Sequence, residues 1–426
     1  MDDFKPLIRN TKFIYLWLSQ LLSQVTINMM NFLLLIRLFE ETGSSIATSL
    51  LWVAYALPAI IIGPFAAASV DMIDRRKVLM ATNLLQSLTI FIYAFSHQQS
   101  LFLLYGIAMI YSFFNQFYVP AEQASLPSLV EKEHLPQANG LFFLTQQAAI
   151  VFGFGIAGFL NEYLGFGNSL YLGAALLFLA FISVSFLEKM VVGEKVPESL
   201  EDAVKRFFER IYQGYEFIKD NRSILIAFLL LLSLQVALAV IVVNIPVIAD
   251  EMLRVGIEVS GLFLVAPAGI GALLGAISIP KWLKKGVRKK RIIELSFMLL
   301  TFALLIFVFL VPELNQQIVR ITIGAIAILF SGYSFVSIFI PAQTFLQENT
   351  PGGLRGRVFG NFWFLSTIAT IFPVILSGTV SELFGVRTLF TILVGFSLFG
   401  LISIKRYGQS VLDNGVNLFG GVNGKK

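Results

Sequence analysis

Residues 223–248 read SILIAFLLLLSLQVALAVIVVNIPVI and contain no charged side chain. A helix rises 1.5 Å per residue, so about 20 apolar residues are enough to cross roughly 30 Å of hydrocarbon. Because lipid offers the backbone no hydrogen-bond partners, a stretch this long and this apolar predicts a membrane-spanning helix.

Eleven further stretches of the same kind lie on either side of this one. Together the predicted spans are 13–36, 46–69, 78–96, 101–121, 138–160, 168–187, 223–248, 259–279, 292–311, 318–340, 357–380 and 387–404. Apolar residues make up 57% of the chain and charged residues 13%, whereas soluble domains are about one quarter charged. The sequence therefore predicts an all-α membrane protein with twelve transmembrane helices. Asp2 and Asp3 precede the first span and no small-residue cleavage pattern follows it, so we expect this span to be retained.

The basic residues are distributed unevenly between the two sides of the predicted spans. The side that holds the N-terminus carries 27 of the 31 lysines and arginines, and the other side carries only Arg37, Arg254, Arg320 and Arg387. This positive-inside pattern predicts a multi-pass protein of the cell membrane with both termini in the cytoplasm. The net charge of +5 is then explained by contacts with the lipid bilayer, and no nucleic-acid partner is expected.

Several kinds of chemistry are disfavoured by composition. The chain has no cysteine, and its two histidines, His97 and His134, lie at loop positions where we expect no metal cluster. It contains no P-loop string for ATP hydrolysis and no clustered nucleophile, acid and base within the spans. We therefore expect a protein that is not an enzyme and needs no cofactor or metal.

Two short motifs recur at nearly the same offset. Gly158-Phe-Leu-Asn-Glu-Tyr-Leu-Gly165 at the end of span 5 matches Gly378-Thr-Val-Ser-Glu-Leu-Phe-Gly385 at the end of span 11, and Val119-Pro-Ala121 matches Ile340-Pro-Ala342. A repeat of this length predicts two pseudo-symmetric six-helix bundles in the same orientation. The predicted domains are an N-terminal bundle, 1–187, a cytoplasmic linker, 188–222, a C-terminal bundle, 223–406, and a disordered tail, 407–426.

The linker contains an apolar pattern with helical spacing. Val204, Phe207, Phe208, Ile211, Tyr215 and Ile218 recur three or four residues apart, and Ser199 precedes them at a helix-capping position. The pattern predicts an amphipathic helix on the cytoplasmic face or the membrane surface. Such a helix either braces the two bundles or is a plain spacer.

Polar side chains form a stripe on the first span. Gln20, Gln24, Asn28 and Asn31 share one helix face and must turn away from lipid. They line a polar substrate cavity, or else they make hydrogen bonds between helices. The corresponding spans 4, 7 and 10 add further candidates for the cavity, namely Tyr111, Asn115, Gln235, Tyr333 and Ser337.

The loop after span 2 reads Ala67-Ala-Ser-Val-Asp71-Met-Ile-Asp74-Arg75-Arg76-Lys77. It resembles the Gly-x-x-x-Asp-x-x-Gly-Arg-Arg/Lys loop of the major facilitator superfamily, with Ala67 and Asp74 in place of the two glycines. The Asp-x-x-x-Arg-Arg-Lys form is similar to the macrolide-efflux-like exporter group of that superfamily. The Pro-Ala pair after span 4, Gly214-Tyr-Glu-Phe-Ile before span 7 and Leu354-Arg-Gly-Arg-Val before span 11 extend the resemblance over essentially the whole chain.

The resemblance implies a cytoplasmic gate at this loop. By likeness to the family, Asp71 faces the N-terminus of the eleventh helix, and Arg75, next to Arg76, pairs with the acid Glu122 at the end of the fourth. A carboxylate at a helix N-terminus and a half-buried ion pair can hold two bundles together and be broken when they part. The alternative is that Arg75, Arg76 and Lys77 only anchor the loop to lipid headgroups.

The resemblance also implies a function. We expect a secondary transporter of the major facilitator fold that works by alternating access and exports small amphipathic or drug-like molecules in exchange for protons, as a monomer. The alternatives are a carrier of lipids or lysophospholipids and, in a different class, a membrane sensor or scaffold that transports nothing. No carboxylate lies at mid-membrane, so the proton carrier is sought among Glu122, near the cytoplasmic edge, and Glu40, Glu41, Asp250 and Glu251, near the outer edge.

Span 5 contains Gly153-Phe-Gly155-Ile-Ala-Gly158, which has the spacing of a dinucleotide-binding loop. That interpretation fails because the string lies inside a membrane span and not after a strand. Close packing of helices through small residues is the expected role. Phe154 and Ala157 also depart from the Gly-Pro-x-x-Gly-Gly signature of the family's antiporters.

Overall fold

A computed structural model of the chain describes residues 5–70, 72–96, 100–190 and 200–412. Helices account for nearly all of this part of the chain. The helices of the first half are α1 (Lys5–Arg9), α2 (Thr11–Thr42), α3 (Ser45–Ile61), α4 (Gly63–Val70), α5 (Arg75–Ser96), α6 (Phe102–Leu129) and α7 (Leu135–Ser185).

The second half continues the same pattern. Its helices are α8 (Leu200–Asp220), α9 (Arg222–Val243), α10 (Ile245–Val247), α11 (Ala266–Lys284), α12 (Lys289–Leu305), α13 (Gln317–Glu348), α14 (Gly352–Phe384) and α15 (Val386–Leu412). Short π-helical turns precede α11 and follow α12.

All twelve predicted spans fall on helices, and the predicted all-α membrane fold is confirmed. Within the described residues, ten helical segments are long and apolar enough to cross a bilayer. The helices do not correspond one to one with the twelve predicted spans, for two reasons. The second span is broken near Ile62 into α3 and α4, after Pro58 interrupts the regular backbone hydrogen bonding. The fifth and sixth spans run together as α7, which bends at Gly165.

The sequence repeat has a structural counterpart at two glycines. Gly165 has φ 79° and ψ 160°, and Gly385 has φ 79° and ψ 154°. This backbone region is essentially closed to residues with a Cβ atom. Each glycine lies between the fifth and sixth spans of its half and lets the chain turn from one into the other. The two halves therefore connect these spans in the same way.

The chain divides into two compact units, Met1–Glu209 and Arg210–Lys426. In the first unit, Phe13, Leu16 and Tyr118 belong to a buried apolar cluster that also contains Leu7 of α1. In the second unit, Phe228 and Phe362 are central to a corresponding cluster. The division falls inside α8, so the part of the linker from Arg210 onward belongs to the C-terminal unit.

The predicted amphipathic helix is present as α8, although Ser199 lies outside the described residues. Its C-terminal half is fastened to α14, because Asn361 Nδ2 donates to the Ile211 carbonyl at 2.8 Å. Gly214 permits this approach, since a Cβ there would lie 2.3 Å from Asn361 Nδ2. Phe208 and Tyr215, on the predicted apolar face, are exposed.

Helix α15 continues to Leu412, past residue 407, where the predicted disordered tail begins. The rest of that tail, 413–426, lies outside the described residues. The helix thus extends through the first six residues of the predicted tail, about one and a half turns, because an apolar pattern marks where a span leaves lipid and not where its helix ends.

The glycine string on α7 packs one face against α2. A Cβ atom on Gly153 would lie 2.6 Å from Asn28 Cβ and 3.0 Å from the backbone nitrogen of Met29. A Cβ atom on Gly155 would meet nothing within 4 Å. The expected role in close helix packing therefore holds for Gly153 and not for Gly155.

This contrast gives a prediction with a matched control. Gly153→Ala should destabilise the protein by about 1–3 kcal/mol, because α2 and α7 must move apart to admit the methyl group. Gly155→Ala adds the same methyl group in open space and should be neutral or slightly stabilising, since alanine favours helix by about 1 kcal/mol. Thermal unfolding of the two variants in detergent measures the difference, and equal melting temperatures would contradict the packing assignment.

Candidate functional site

The loop after α4 is attached to the end of α7. Arg76 donates from Nη2 to the Ser185 carbonyl at 2.6 Å, and Asp74 Oδ1 accepts from the backbone nitrogen of Met190 at 3.2 Å. Asp74 also accepts from the backbone nitrogen of Arg76 at 3.1 Å. Asp71, the proposed gating carboxylate, lies outside the described residues, so its expected contact stays a prediction.

The expected ion pair between Arg75 and Glu122 is not formed. Arg75 Nη1 instead donates to the Ala124 carbonyl at 2.9 Å. Arg75 is therefore bonded to the backbone near the end of α6, while the Glu122 side chain is buried inside the first unit.

Glu122 is buried among hydroxyl groups. Only 5% of its surface is exposed, and its Oε1 accepts a hydrogen bond from the Tyr118 hydroxyl at 2.8 Å. The Tyr118 oxygen lies 3.4 Å from Ser19 Oγ, which in turn accepts from Asn83 Nδ2 at 3.0 Å. Three helices, α2, α5 and α6, thus place four polar side chains in one continuous chain that ends on a carboxyl group.

More buried polar residues lie on the same three helices. We call the whole set the polar seam; it comprises Ser19, Ser23 and Thr26 of α2, Thr82, Asn83 and Gln86 of α5, and Tyr111, Tyr118 and Glu122 of α6. Every member is at least nine-tenths buried. Polar groups enclosed at membrane depth are costly unless they are bonded or functional, so the seam is the candidate functional site of this unit.

Sequence reasoning missed most of the seam. Tyr111 was expected to line a substrate cavity and Glu122 to close a gate, and neither was expected to share a buried network. The signal was available in the spacing, because Ser19, Ser23 and Thr26 recur four and three residues apart on one face of α2. Serine and threonine are common in membrane helices, however, and their spacing alone does not separate a polar network from ordinary packing.

One of the predicted cavity residues on α2 is a packing contact. Gln20 is buried, and its Nε2 donates to the Phe142 carbonyl of α7 at 3.1 Å. It bridges two helices of the same unit, which corrects its assignment to a cavity wall. Gln24 and Asn28 are only half-buried, and Asn28 Nδ2 donates to the Gln24 carbonyl at 2.8 Å.

Asn31 and Asn115 meet at a tyrosine that the sequence did not single out. Both amides hydrogen-bond to the hydroxyl of Tyr55 on α3, and the Asn115 contact measures 3.5 Å. This arrangement ties α2, α3 and α6 together. All three side chains remain partly exposed, so they can also meet a solute.

The remaining predicted cavity residues are divided between buried and half-buried positions. Tyr111 is buried, and its carbonyl accepts from Gln86 Nε2 at 3.4 Å. Ser337 is fully buried, whereas Gln235 and Tyr333 are half-buried. The Tyr333 hydroxyl accepts from Ser278 at 3.2 Å, across α11 and α13. The predicted substrate cavity between the two bundles stays a prediction.

Two of the acids near the outer edge have structural partners. Glu41 pairs with Arg37 one helical turn away at 2.6 Å. Glu251 Oε2 accepts from the backbone nitrogen of Val386 at 3.0 Å, so it caps the start of α15. Among the acids considered as proton carriers, Glu122 is deeply buried, whereas those near the outer edge are exposed.

Comparison with known proteins identifies the class. A match to the Major Facilitator Superfamily covers residues 16–374. The chain therefore belongs to the Major Facilitator Superfamily, and it is a multi-pass membrane transporter.

Three relatives sharpen this placement. The uncharacterized MFS-type transporter YfiS of Bacillus subtilis (strain 168) is 26% identical over 403 residues, which cover 91% of each chain. The putative bacilysin exporter BacE of the same strain is 24% identical over 305 residues, or 70% of each chain. Macrolide efflux protein A of Streptococcus pyogenes is 23% identical over 216 residues, covering 50% of this chain and 52% of its own. The resemblance to the macrolide-efflux-like group is thereby confirmed.

Solved structures support the fold. The nucleoside transporter NupG superimposes with a TM-score of 0.72 over 93% of this chain and 98% of its own, at 14% sequence identity. A likeness at that identity concerns the fold alone and carries no information about substrate.

Proposed function

We propose that this protein is a secondary active transporter of the cell membrane that exports small amphipathic or drug-like molecules in exchange for protons. Membership of the Major Facilitator Superfamily supports the transport class. The direction is supported by two relatives described as an exporter of bacilysin and a macrolide efflux protein. Alternating access, in which the two bundles rock about a central site, is the mechanism we expect.

The main support for proton exchange is the buried carboxyl group of Glu122. Its charge has no ionic partner among the described residues, and its bonded neighbour is the neutral Tyr118 hydroxyl. A carboxylate enclosed without a cation is unstable relative to one that reaches water. Access of water to Glu122 would therefore favour release of its proton, and closure around Glu122 would favour uptake. In this way the proton is coupled to the conformational cycle.

We expect the substrate to be recognised by half-buried polar side chains within largely apolar helices. They are Gln24, Asn28, Asn31 and Asn115 in the first half, and Gln235 and Tyr333 in the second. Such mixed surfaces suit small molecules that are apolar with a few polar groups. The loop that holds Asp71, Arg75 and Arg76 would close the cytoplasmic side.

Transport in vesicles tests this proposal. The purified protein, reconstituted in proteoliposomes with an imposed pH gradient, should move amphipathic compounds from a panel that includes a macrolide. Transport should follow the gradient and collapse with a protonophore. Glu122→Gln should lose the dependence on the gradient while still exchanging substrate across the membrane, because the substrate site is left intact.

Other outcomes would replace the proposal. Movement of a fluorescent lysophospholipid, with no movement of the panel compounds, would favour the lipid carrier. No movement of any solute under a pH gradient would favour a sensor or scaffold. Transport by Glu122→Gln with an undiminished response to the gradient would remove Glu122 from the coupling mechanism.

We also propose that both termini are cytoplasmic, on the basis of the distribution of basic residues. The absence of native cysteine permits a direct test with single cysteines. In intact cells, an impermeant maleimide should label Gln316→Cys, which lies in an exposed outer loop by this orientation, and should spare Lys284→Cys, which is equally exposed but cytoplasmic. The opposite labelling pattern would invert the proposed orientation.

A further inference from the structure

Four polar atoms of the polar seam have no hydrogen-bond partner in the described part of the chain. They are Thr26 Oγ1, Asn83 Oδ1, Gln86 Oε1 and Tyr111 Oη, and all four residues are buried. A buried polar atom without a hydrogen bond costs about 1–3 kcal/mol. Four such atoms on neighbouring helices of one unit, in helices that already share a polar chain, indicate that the seam binds something small and polar.

The seam has the extent of a short pathway. Tyr111 and Glu122 are eleven positions apart on α6, which corresponds to about 16 Å along the helix axis. Ser19 and Thr26 cover about 10 Å on α2 in the same direction. In the proposed orientation, the seam begins at Glu122 near the cytoplasmic edge and continues toward the middle of the membrane.

The hydrogen bonds of the seam have a defined direction. Asn83 Nδ2 donates to Ser19 Oγ, so the Ser19 proton is free to point toward the Tyr118 oxygen. The Tyr118 hydroxyl then donates to Glu122 Oε1. Each hydroxyl accepts one bond and donates another, which is the arrangement that lets a proton pass from group to group.

We propose that the polar seam binds a short file of water molecules and carries protons between Glu122 and the middle of the membrane. The waters would bond to Thr26, Asn83 and Gln86, which supply the polar partners that a buried water needs. Tyr118 transfers its proton to the Glu122 carboxylate as it receives one from Ser19. A water of the file re-protonates Ser19 and takes a proton from the next water toward the middle of the membrane, so each transfer is balanced. Asn83 is a positioning residue, because its amide orients Ser19.

No charged side chain in the described part of the chain bonds to the Glu122 carboxyl group from the helices packed against α6. On α5, Arg75 donates to Ala124 and Arg76 to Ser185. Helices α3 and α4 contain no charged residue. Other charged groups of the neighbouring helices are paired elsewhere or exposed at the helix ends, among them Lys12 with Glu188, Arg37 with Glu41, His134 with Glu131, and the exposed Lys77 and Glu162. Tyr55 on α3 bonds to Asn115, and Tyr105 on α6 donates to the Ala47 carbonyl.

This inference rests on the proposed proton exchange, and its test separates the two. Tyr118→Phe and Ser19→Ala remove only hydroxyl groups from the proton chain. Ser125→Ala is the matched control, because Ser125 is a fully buried serine of α6 whose hydroxyl bonds only to the Ala121 carbonyl. Each variant is reconstituted with a panel compound that the wild-type protein transports.

Two rates are compared for each variant, namely export driven by a pH gradient and exchange of substrate for substrate without a gradient. Tyr118→Phe should slow gradient-driven export about tenfold, as expected for loss of a hydrogen bond to a charged group. Ser19→Ala interrupts the same proton chain one step further from Glu122 and should also slow export about tenfold. Both variants should leave exchange within about twofold. Ser125→Ala should leave both rates near wild type. Unchanged exchange also shows that the variants are folded.

Gradient-driven export at the wild-type rate in both Tyr118→Phe and Ser19→Ala would overturn the pathway, even where Glu122→Gln still abolishes coupling. An equal loss of export and exchange in those variants would also overturn it, since that result indicates a structural role. Retention of coupling in Glu122→Gln is a different result, because it contradicts the proposed function and not the pathway alone.

Discussion

A hydrogen bond from the Tyr118 hydroxyl to the Glu122 carboxyl group is the contact on which the interior of the first unit depends. In water it would be a minor interaction, but here both residues are enclosed by membrane helices. A buried carboxyl group needs partners for its oxygens, and the cost of leaving it alone exceeds the gain of any one packing contact. The surrounding side chains, Ser19 and Asn83 among them, are arranged to meet that need.

The twelve spans and the repeat could be predicted because they depend on strong, local signals. Hydropathy over about 20 residues decides whether a helix crosses lipid, and the conformation of Gly165 and Gly385 is one that few other residues adopt. The α3–α4 break was not predicted, since proline in a membrane helix often causes only a bend. Helix ends were also misplaced, because lipid boundaries and helix ends need not coincide.

The site was harder to predict, and the errors have physical reasons. Gln20 and Ser19 are adjacent, yet a rotation of about 100° per residue sends them to different neighbours, and sequence periodicity does not say which face meets a cavity. The Arg75–Glu122 pair was implied by the resemblance to the superfamily. That resemblance places an acid at the right end of the helix, but the direction of its side chain depends on the helix rotation that packing selects.

The central claim is that Glu122 exchanges a proton inside the bundle while it is bonded to Tyr118. Infrared difference spectra of the protein between acidic and alkaline conditions test this claim without any substrate. The account predicts a carboxylic acid C=O band in the wild-type spectrum that disappears in Glu122→Gln and shifts in Tyr118→Phe. A spectrum that is the same in all three proteins would contradict it.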